Sequence, residues 1–433
     1  MKQVDNSKEG VPGQGKCPLA GSVSPMAAKL CSPAGNSYYI FVVLMLVALS
    51  ALGSFVNDMY SPALPGMCKF FGCAVPVAQL GLTMGMIGLG AGQMLLGPIS
   101  DKIGRKPALI GATVLFIVAA AAGTFATNIH VFNISRLFQG LGASAGYFLA
   151  KTIPADVYGG RMLAKLMALV GAINGLAPAV APVAGGVIAD DLGWKAIFWI
   201  LCGFALLVIL LSLNMKESLP ADKKAKGSLW KSFSGYPELL RNRAFMTHCL
   251  LKGFALGMLF AFISSAPFIA QTHYGLSQTN YGYCVGVISL IMGAGSIMSL
   301  KFKPYKKSAF TGALIMAVGV VGLMISLLLI ENLWFYFGCM AVEMFGAGMI
   351  FATANTLAMN EGRTHAGEAA ALIGVTGYII GGTVSPLVGM GNFMHSTVLV
   401  SLVLTLLVVF FAWRSRRLPA DLNQTVNKKV TFR

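Results

Sequence analysis

Apolar stretches alternate with short polar connections along most of the chain. Each stretch is close to the ~20 residues with which an α-helix crosses a hydrocarbon core of ~30 Å. The pattern therefore predicts twelve membrane spans, at Ile40–Tyr60, Pro76–Leu96, Ala108–Thr127, Val131–Ala150, Leu163–Ile188, Ala196–Leu213, Phe245–Ala270, Tyr281–Leu300, Ala309–Ile330, Leu333–Leu357, Ala369–Gly389 and Val398–Trp413.

A lysine-rich polar segment near the midpoint divides the spans into two groups of six, and a faint internal repeat relates the groups. At an offset of 204 residues, Pro182–Gly185 in span five falls on Pro386–Gly389 in span eleven. Duplicated halves of this kind are common among transporters. We predict an all-α membrane protein with two pseudo-symmetric six-helix bundles, divided into a disordered cytoplasmic tail (1–37), a first bundle (38–214), a cytoplasmic linker (215–244), a second bundle (245–413) and a cytoplasmic tail (414–433).

The composition indicates an integral membrane protein and excludes a soluble one. Of the 433 residues, 56% are hydrophobic and 11% are charged, whereas soluble domains are ~25% charged. The net charge of +17 does not indicate nucleic-acid binding, because Lys and Arg are concentrated in alternate connections and the opposite ones hold only Lys69 and Lys195. The positive-inside rule then predicts a multi-pass protein of the cell membrane, the inner membrane in a bacterium, with both termini cytoplasmic.

The densest polar cluster is the run Gly97–Pro107, between spans two and three. Its acid and three bases cannot lie in lipid, so they must form a tight loop at one membrane face. Asp101 is placed to meet a helix N-terminus of the second half, and Arg105 to pair with Asp156. Alternatively the loop only signals orientation, which leaves the acid unexplained. The residues that would hold the cytoplasmic side closed in an outward-facing state are Gly97, Asp101, Gly104, Arg105, Lys106 and Asp156.

The pattern of this loop, G-x-x-x-D-K-x-G-R-K, resembles the signature loop between spans two and three of the major facilitator superfamily. Lys102 stands where that family more often has Arg, which keeps the charge and loses the planar guanidinium. The resemblance implies a secondary transporter in which one six-helix half rocks against the other around a central cavity.

Three ionisable residues inside the spans are candidates for proton coupling, because charge within a membrane is costly and mostly functional. Asp58 in span one and Arg136 in span four are expected at similar depth, where they could share one cavity. Glu343 lies near the middle of span ten, at the second-half position that corresponds to Gln139. Alternatively, Asp58 only caps the end of span one, and Glu343 pairs structurally with Lys252 or with neighbouring Tyr and Ser residues.

Two of these residues lie in segments similar to the drug:proton antiporter branch of the superfamily, of the multidrug-facilitator and bicyclomycin-resistance types. The resemblance implies substrate recognition and proton exchange at Asp58, and proton coupling at Arg136 and Gln139. Ser50 stands where the multidrug-facilitator type has a second acid, which does not favour broad recognition of cationic drugs. The similar segments are Asn57–Met59, Arg136–Gly140 and Ala177–Gly186.

Small residues in span five form the run Ala181–Gly186, which resembles the antiporter motif G-P-x-x-G-G with Ala181 in place of the first Gly. Pro182, Gly185 and Gly186 would let neighbouring helices approach closely and give a bendable seal between the halves, which favours export. Ordinary helix packing would need the same residues.

Polar side chains within the spans are expected to line the cavity. An external connection holds Cys68 and Cys73, for which the sequence leaves a disulfide and two free thiols equally open. The expected lining residues are Asn57, Tyr60, Gln139, Tyr147, Asn174 and Asn355.

Together these features predict a proton-coupled secondary transporter that exports small amphipathic compounds, a monomer whose partners are its substrate, protons and the bilayer. The alternative with the same fold is a dedicated carrier for one metabolite, such as a siderophore or nutrient, running in either direction. A sensor or structural membrane protein would not need intramembrane charge beside a gating loop. No metal or other cofactor is expected, since the 5 histidines are scattered, and no nucleophile lies beside a base as in an enzyme.

Overall fold

The structure is a computed structural model that describes residues 33–220, 224, 235–302 and 304–418. Much of the predicted linker and tails therefore lies outside the described residues. The described part holds twelve long helices, numbered here in chain order: α1 Pro33–Asp58, α2 Val75–Ile103, α3 Arg105–Phe125, α4 Ile129–Val157, α5 Gly160–Leu192, α6 Trp194–Asn214, α7 Arg243–Pro267, α8 Gln278–Ser299, α9 Tyr305–Ile325, α10 Leu333–Glu361, α11 Ala366–Leu387 and α12 Phe393–Arg417.

Eleven helices of the described chain are long and apolar enough to cross a membrane, which makes the protein a multi-pass membrane protein. The long helix outside this set is α4, which has 29 residues. Its length suffices, but polar side chains such as Asn133, Arg136 and Gln139 lower its hydropathy. All three are buried, so α4 keeps its polar groups away from lipid.

The helices form two six-helix bundles. In the first, α1, α2 and α3 all pack against α4, and in the second, α7, α8 and α9 all pack against α10. The bundles meet along two helix pairs, α2 with α11 and α5 with α8. Small residues permit the close crossings: a Cβ on Gly140 of α4 would lie 2.2 Å from the Gly85 carbonyl of α2.

The two halves touch at one end of the bundle and separate towards the other. We call the end that carries Gly104 the loop end, and the opposite end the far end. Hydrogen bonds between the halves lie towards the far end, where Thr83 Oγ1 donates to the Gly382 carbonyl at 2.7 Å. Towards the loop end, Gly171 of α5 and Gly293 of α8 have no atom of the described residues within 4 Å of their Cβ positions. The gap between the halves therefore opens to the loop end.

Several predicted boundaries are wrong by a few residues. The first helix begins at Pro33, inside the predicted tail 1–37, and α12 continues to Arg417, past the predicted end at Trp413. A helix can extend beyond the hydrocarbon because its backbone hydrogen bonds are internal, and the cations in the last turn of α12 suit the negative end of its dipole. The connection after α1 contains a short helix, Leu64–Phe71.

The sequence left open whether the two cysteines of that connection form a disulfide, and the structure has no such bond between them. Cys68 and Cys73 are free thiols. The Cys68 sulfur donates to the Cys73 carbonyl at 2.8 Å.

Candidate functional site

Arg136 of α4 is fully buried in the first half, 0% exposed. Its guanidinium donates to the Val56 carbonyl at 2.9 Å and to Asn57 Oδ1 at 2.7 Å, and also to Gln139 Oε1. The Tyr60 ring lies 4.3 Å from the guanidinium carbon. Carbonyl and amide oxygens and a ring face thus balance the charge in place of a carboxylate.

Glycine at position 85 makes room for this cluster. A Cβ there would lie 2.7 Å from Asn57 Oδ1 and 3.0 Å from Arg136 Nη2. Both distances are shorter than ordinary contacts, so only a glycine lets α2 pass this close to the guanidinium and its partner.

Asp58 is the last residue of α1 and directly follows the residues that Arg136 binds. Its side chain is half-buried. The rings of Tyr147, Tyr281 and Tyr378 lie within electrostatic range of the carboxylate, and two of the three belong to the second half. Asp58 therefore faces the gap between the halves, near its closed end.

The sequence prediction that Asp58 and Arg136 share one cavity is wrong. Among the described residues, no ion pair joins Asp58 to a cation. Asp58 points into the gap, while Arg136 points into the interior of its own half. Asn57, Tyr60 and Gln139 were expected to line the cavity, but they are at most 4% exposed because they surround Arg136.

Tyr147 and Asn174, two of the predicted lining residues, are half-buried and have polar partners on neighbouring helices. Ser54 Oγ donates to Asn174 Oδ1 at 3.1 Å, which joins α1 to α5. The Tyr147 hydroxyl interacts with Ser54 and with Tyr378 of the other half. Tyr378 also interacts with Gln93 of α2. These groups form a polar wall on the loop-end side of Asp58, and the wall could hydrogen-bond a substrate.

Glu343 of α10 is enclosed in the second half, 0% exposed, and neither carboxyl oxygen has a hydrogen-bond partner among the described residues. The Gly319 backbone packs against it, since a Cβ on Gly319 would lie 2.8 Å from Glu343 Cβ. The pairing with Lys252 suggested by the sequence is wrong, because Lys252 Nζ donates to Asn355 Oδ1 at 2.7 Å. Tyr336 and Cys339 lie within electrostatic range of Glu343.

The turn between α2 and α3 is built around Gly104, whose φ of 112° suits glycine alone. Arg105 Nε donates to Asp156 Oδ2 at 2.9 Å, so the pair expected from the sequence is present. Glu217, which the sequence reasoning missed, accepts the Arg105 backbone N–H at 2.9 Å and so caps α3. Lys106 Nζ donates to the Leu213 carbonyl at 2.7 Å, at the end of α6.

The predicted contact of Asp101 with the second half is absent from the described part of the chain. Its carboxylate lies 2.5 Å from Arg105 Nη1, within the same turn, and its side chain is 42% exposed. The cause is the opening of the gap at this end. At the N-terminus of α11, His365 instead lies between Glu238 and Glu368, at 3.0 and 2.9 Å.

At the far end, small residues of α5 carry the closed contact between the halves. A Cβ on Gly186 would lie 2.4 Å from the Gln278 carbonyl of α8, in the other half. Gly185 packs within its own half, where a Cβ would lie 1.7 Å from the Met59 carbonyl, just after α1. The Pro182 carbonyl would be 2.5 Å from a Cβ on Gly282. The run lies where the two halves meet. Gly97 of α2 packs against Phe148 within its own half.

Asp190 joins the halves directly, and the sequence reasoning missed it. Its Oδ2 accepts the Thr279 N–H at 2.8 Å and the Thr279 hydroxyl at 2.6 Å, which caps the N-terminus of α8 from the other half. The only signal in the sequence was an acidic pair, Asp190 and Asp191, in a connection with few charges. An acid at a helix N-terminus is stabilised by the helix dipole.

Comparison with known proteins gives the following matches. The sequence profile described as Major Facilitator Superfamily matches residues 43–386. An uncharacterized MFS-type transporter of Bacillus subtilis, YdgK, is 34% identical over 370 residues, which cover 84% of this chain and 92% of YdgK. A chloramphenicol resistance protein of Pseudomonas aeruginosa is 31% identical over 58% of this chain and 59% of its own length. The multidrug resistance protein MdtL of Escherichia coli is 26% identical over 61% of this chain and 68% of MdtL.

Solved structures with the same fold are much less similar in sequence. A bacterial homologue of the lysosomal transporter Spinster, inward-facing and unoccupied, matches with a TM-score of 0.71 at 15% identity, covering 89% of this chain and 98% of the homologue. The xylose transporter XylE of Escherichia coli, partially occluded and inward open, matches with a TM-score of 0.70 at 15% identity, over 88% and 98% of the two chains.

Proposed function

The chain belongs to the Major Facilitator Superfamily, and from this premise we propose that it is a proton-coupled secondary transporter that exports small amphipathic compounds by antiport. The observation that carries the proposal is the placement of Asp58. An ionisable group in the gap between two halves, with no ion-pair partner in the described part of the chain, is available to a proton and to a substrate in turn. Resistance relatives such as MdtL support export.

In the proposed cycle, the loop end faces the cytoplasm, because the basic connections lie there. The described conformation is then open to the cytoplasm, and Asp58 lies near the closed external end. Substrate enters from the cytoplasm and displaces the proton from Asp58. After the halves rock, an external proton displaces the substrate.

Arg136 acts in this proposal as a positioning residue. Its guanidinium binds the Val56 carbonyl and Asn57 Oδ1, in the helical turn that ends at Asp58. A shift of the guanidinium would therefore move the carboxylate at the end of α1. Gln139 fixes the other arm of the guanidinium.

Glu343 is proposed as a second protonatable group. A buried carboxylate without any partner is costly, while the protonated acid is less so. Glu343 therefore holds a proton in the described conformation, and it releases that proton if rocking of the halves brings water or a cation to it.

The turn at Gly104 is proposed as the cytoplasmic latch of the opposite conformation. Arg105 and Asp156 fix its shape, and the exposed carboxylate of Asp101, paired with Arg105 in the described conformation, contacts the second half when the gap closes. The two bundles, 38–214 and 245–413, move as units around the linker 215–244. We propose that the transporter works as a monomer in the cell membrane, the inner membrane in a bacterium, with both tails cytoplasmic.

A dedicated metabolite carrier is the second candidate. The observation in its favour is the wall of amide and hydroxyl groups formed by Ser54, Gln93, Asn174 and Tyr378. Such groups discriminate strongly between substrates, because a mismatched ligand leaves them unpaired.

The proposal is tested by proton release from the purified protein in detergent, followed with a pH indicator. Rhodamine 6G, chloramphenicol and fluorescein are added in turn to wild type and to Asp58→Asn. We expect at least one compound to release protons from wild type and none from the variant, because the amide cannot hold the exchanged proton. Proton release from the variant equal to that of wild type would overturn the role of Asp58. If no compound releases protons from wild type, the result would favour a dedicated carrier.

A further inference from the structure

Two lysines from opposite halves lie beside the gap, Lys252 half-buried and Lys151 exposed. Lys252 lies on α7 of the second half and Lys151 on α4 of the first, and the two ammonium groups are within electrostatic range of each other. Lys151 follows Tyr147 by four residues, so both occupy one face of α4. Tyr147 interacts with Tyr378 of the second half, which places this face on the gap.

Neither lysine is neutralised within the described chain. The ion pairs found there involve Arg105 and His365. Lys252 has an amide as its partner, Asn355 Oδ1 at 2.7 Å. An ammonium has three donors, so two remain for a ligand. Asn355 thus orients the group without removing its charge.

The two like charges make this part of the gap electrostatically unfavourable unless an anion lies between them. Two ammonium groups repel each other, and the repulsion grows as the gap excludes water. An anion between them reverses the sign of the interaction and gains charge-assisted hydrogen bonds. The tyrosine rings beyond Lys151 offer an aromatic surface for the rest of such a molecule.

We infer that Lys151 and Lys252 form an anion-binding subsite, and that the transporter takes organic anions, in which a carboxylate, phosphate or sulfonate is attached to an apolar or aromatic body. The inference rests on the proposed function for the transport of this class, while the binding itself does not depend on proton coupling.

The test is equilibrium binding to the full-length protein in lipid nanodiscs, followed by fluorescence anisotropy. Fluorescein serves as an aromatic anion and rhodamine 6G as a related cation. Wild type should bind fluorescein more tightly than rhodamine 6G. Lys252→Gln and Lys151→Gln should each weaken fluorescein binding about tenfold and leave rhodamine 6G binding unchanged or stronger. Lys252→Arg should retain fluorescein binding, because it keeps the charge.

Lys195→Gln is the matched control. Lys195 lies at the far end over the Phe70 and Trp194 rings, away from the gap. Its substitution should change neither affinity. The inference is overturned if wild type does not bind fluorescein, if the Gln variants bind it as wild type does, or if they lose both probes equally.

Failure of this inference can be told apart from failure of the proposed function. Lys252-dependent binding of fluorescein without proton release by any compound would keep the subsite and overturn the proton coupling. Proton release on addition of rhodamine 6G, with no Lys252-dependent binding of fluorescein, would keep the coupling and overturn the subsite.

Discussion

Arg136 shows how a charge can be kept inside a membrane protein without a counter-ion. The Val56 carbonyl, Asn57 and Gln139 accept from its guanidinium, and the Tyr60 ring covers one face. Each partner belongs to the first half. The cluster therefore moves with that half, and its positive charge is not offered to substrate.

Substitution of Gly85 should disturb this cluster without touching the gap. Gly85→Ala places a Cβ 2.7 Å from Asn57 Oδ1, and overpacking of this kind costs ~1–3 kcal/mol. We expect a lower melting temperature in intrinsic-fluorescence scans and weaker proton release. Gly175→Ala, on a position with nothing within 4 Å, is the control and should melt no lower than wild type. Equal melting temperatures for the two variants would contradict the packing argument.

Glu343→Gln separates a proton-binding role from a structural one. The amide keeps the volume of the side chain and cannot release a proton. If Glu343 exchanges protons, the variant should be present in the membrane at wild-type levels and lose the pH dependence of transport, measured as uptake into vesicles at several pH values. Glu331→Gln, in an exposed connection, should behave as wild type. Unaltered transport by Glu343→Gln would remove the proposed role.

The sequence could identify the buried ionisable residues but not their directions. Asp58, Arg136 and Glu343 are found by their presence in apolar spans. Whether Arg136 faces the gap or the interior depends on the rotation of α4 about its axis, and that rotation follows from close crossings such as the one at Gly85. The placement of Asn57 and Tyr60 failed for the same reason.

Among the helices, α5 and α8 form the contact that closes the far end. Small residues bring their backbones together, and Asp190 caps the N-terminus of α8. At the loop end, the last turn of α2 carries Asp101, whose exposed carboxylate is paired with Arg105. The two acids are suited to alternate, each as a latch at its own end.

Asp190→Asn should weaken the far-end latch and shift the protein towards the outward-open state. The expected change is a shorter distance between spin labels at Ile103 and Leu300, both exposed near the loop end, in pulsed electron resonance. Asp191→Asn provides the control, because among the described residues no hydrogen bond or ion pair joins the neighbouring acid to α8. An unchanged distance distribution in Asp190→Asn would contradict the latch.

Element boundaries were predictable to within a few residues because hydropathy marks the part of each helix inside lipid. It does not mark continuation into water, so the extensions at Pro33 and Arg417 were missed. Contacts between distant elements were harder still. Arg105 and Asp156 were paired from their charges and depth, whereas Glu217 and Asp190 act through backbone N–H groups that leave no pattern in the sequence.

For the whole molecule, the sequence predicts two bundles but not which end is open. The far end is closed through contacts such as Thr83 with Gly382, and the loop end is open. Hydrophobic patterning marks which parts of a helix lie in lipid or in a bundle, and it does not mark which end of the gap is closed. The exposed carboxylate of Asp101 and the engaged carboxylate of Asp190 follow from this one conformation.

The central claim is that a proton at Asp58 drives transport by alternating access of the two halves. The most direct measurement is uptake of radiolabelled substrate into proteoliposomes, once with an imposed pH gradient and once as exchange against unlabelled substrate without a gradient. Wild type should perform both. Asp58→Asn should lose the substrate accumulation that the pH gradient drives and should keep exchange, because its halves still rock but carry no proton. Gradient-driven accumulation by Asp58→Asn at the wild-type level would contradict the account.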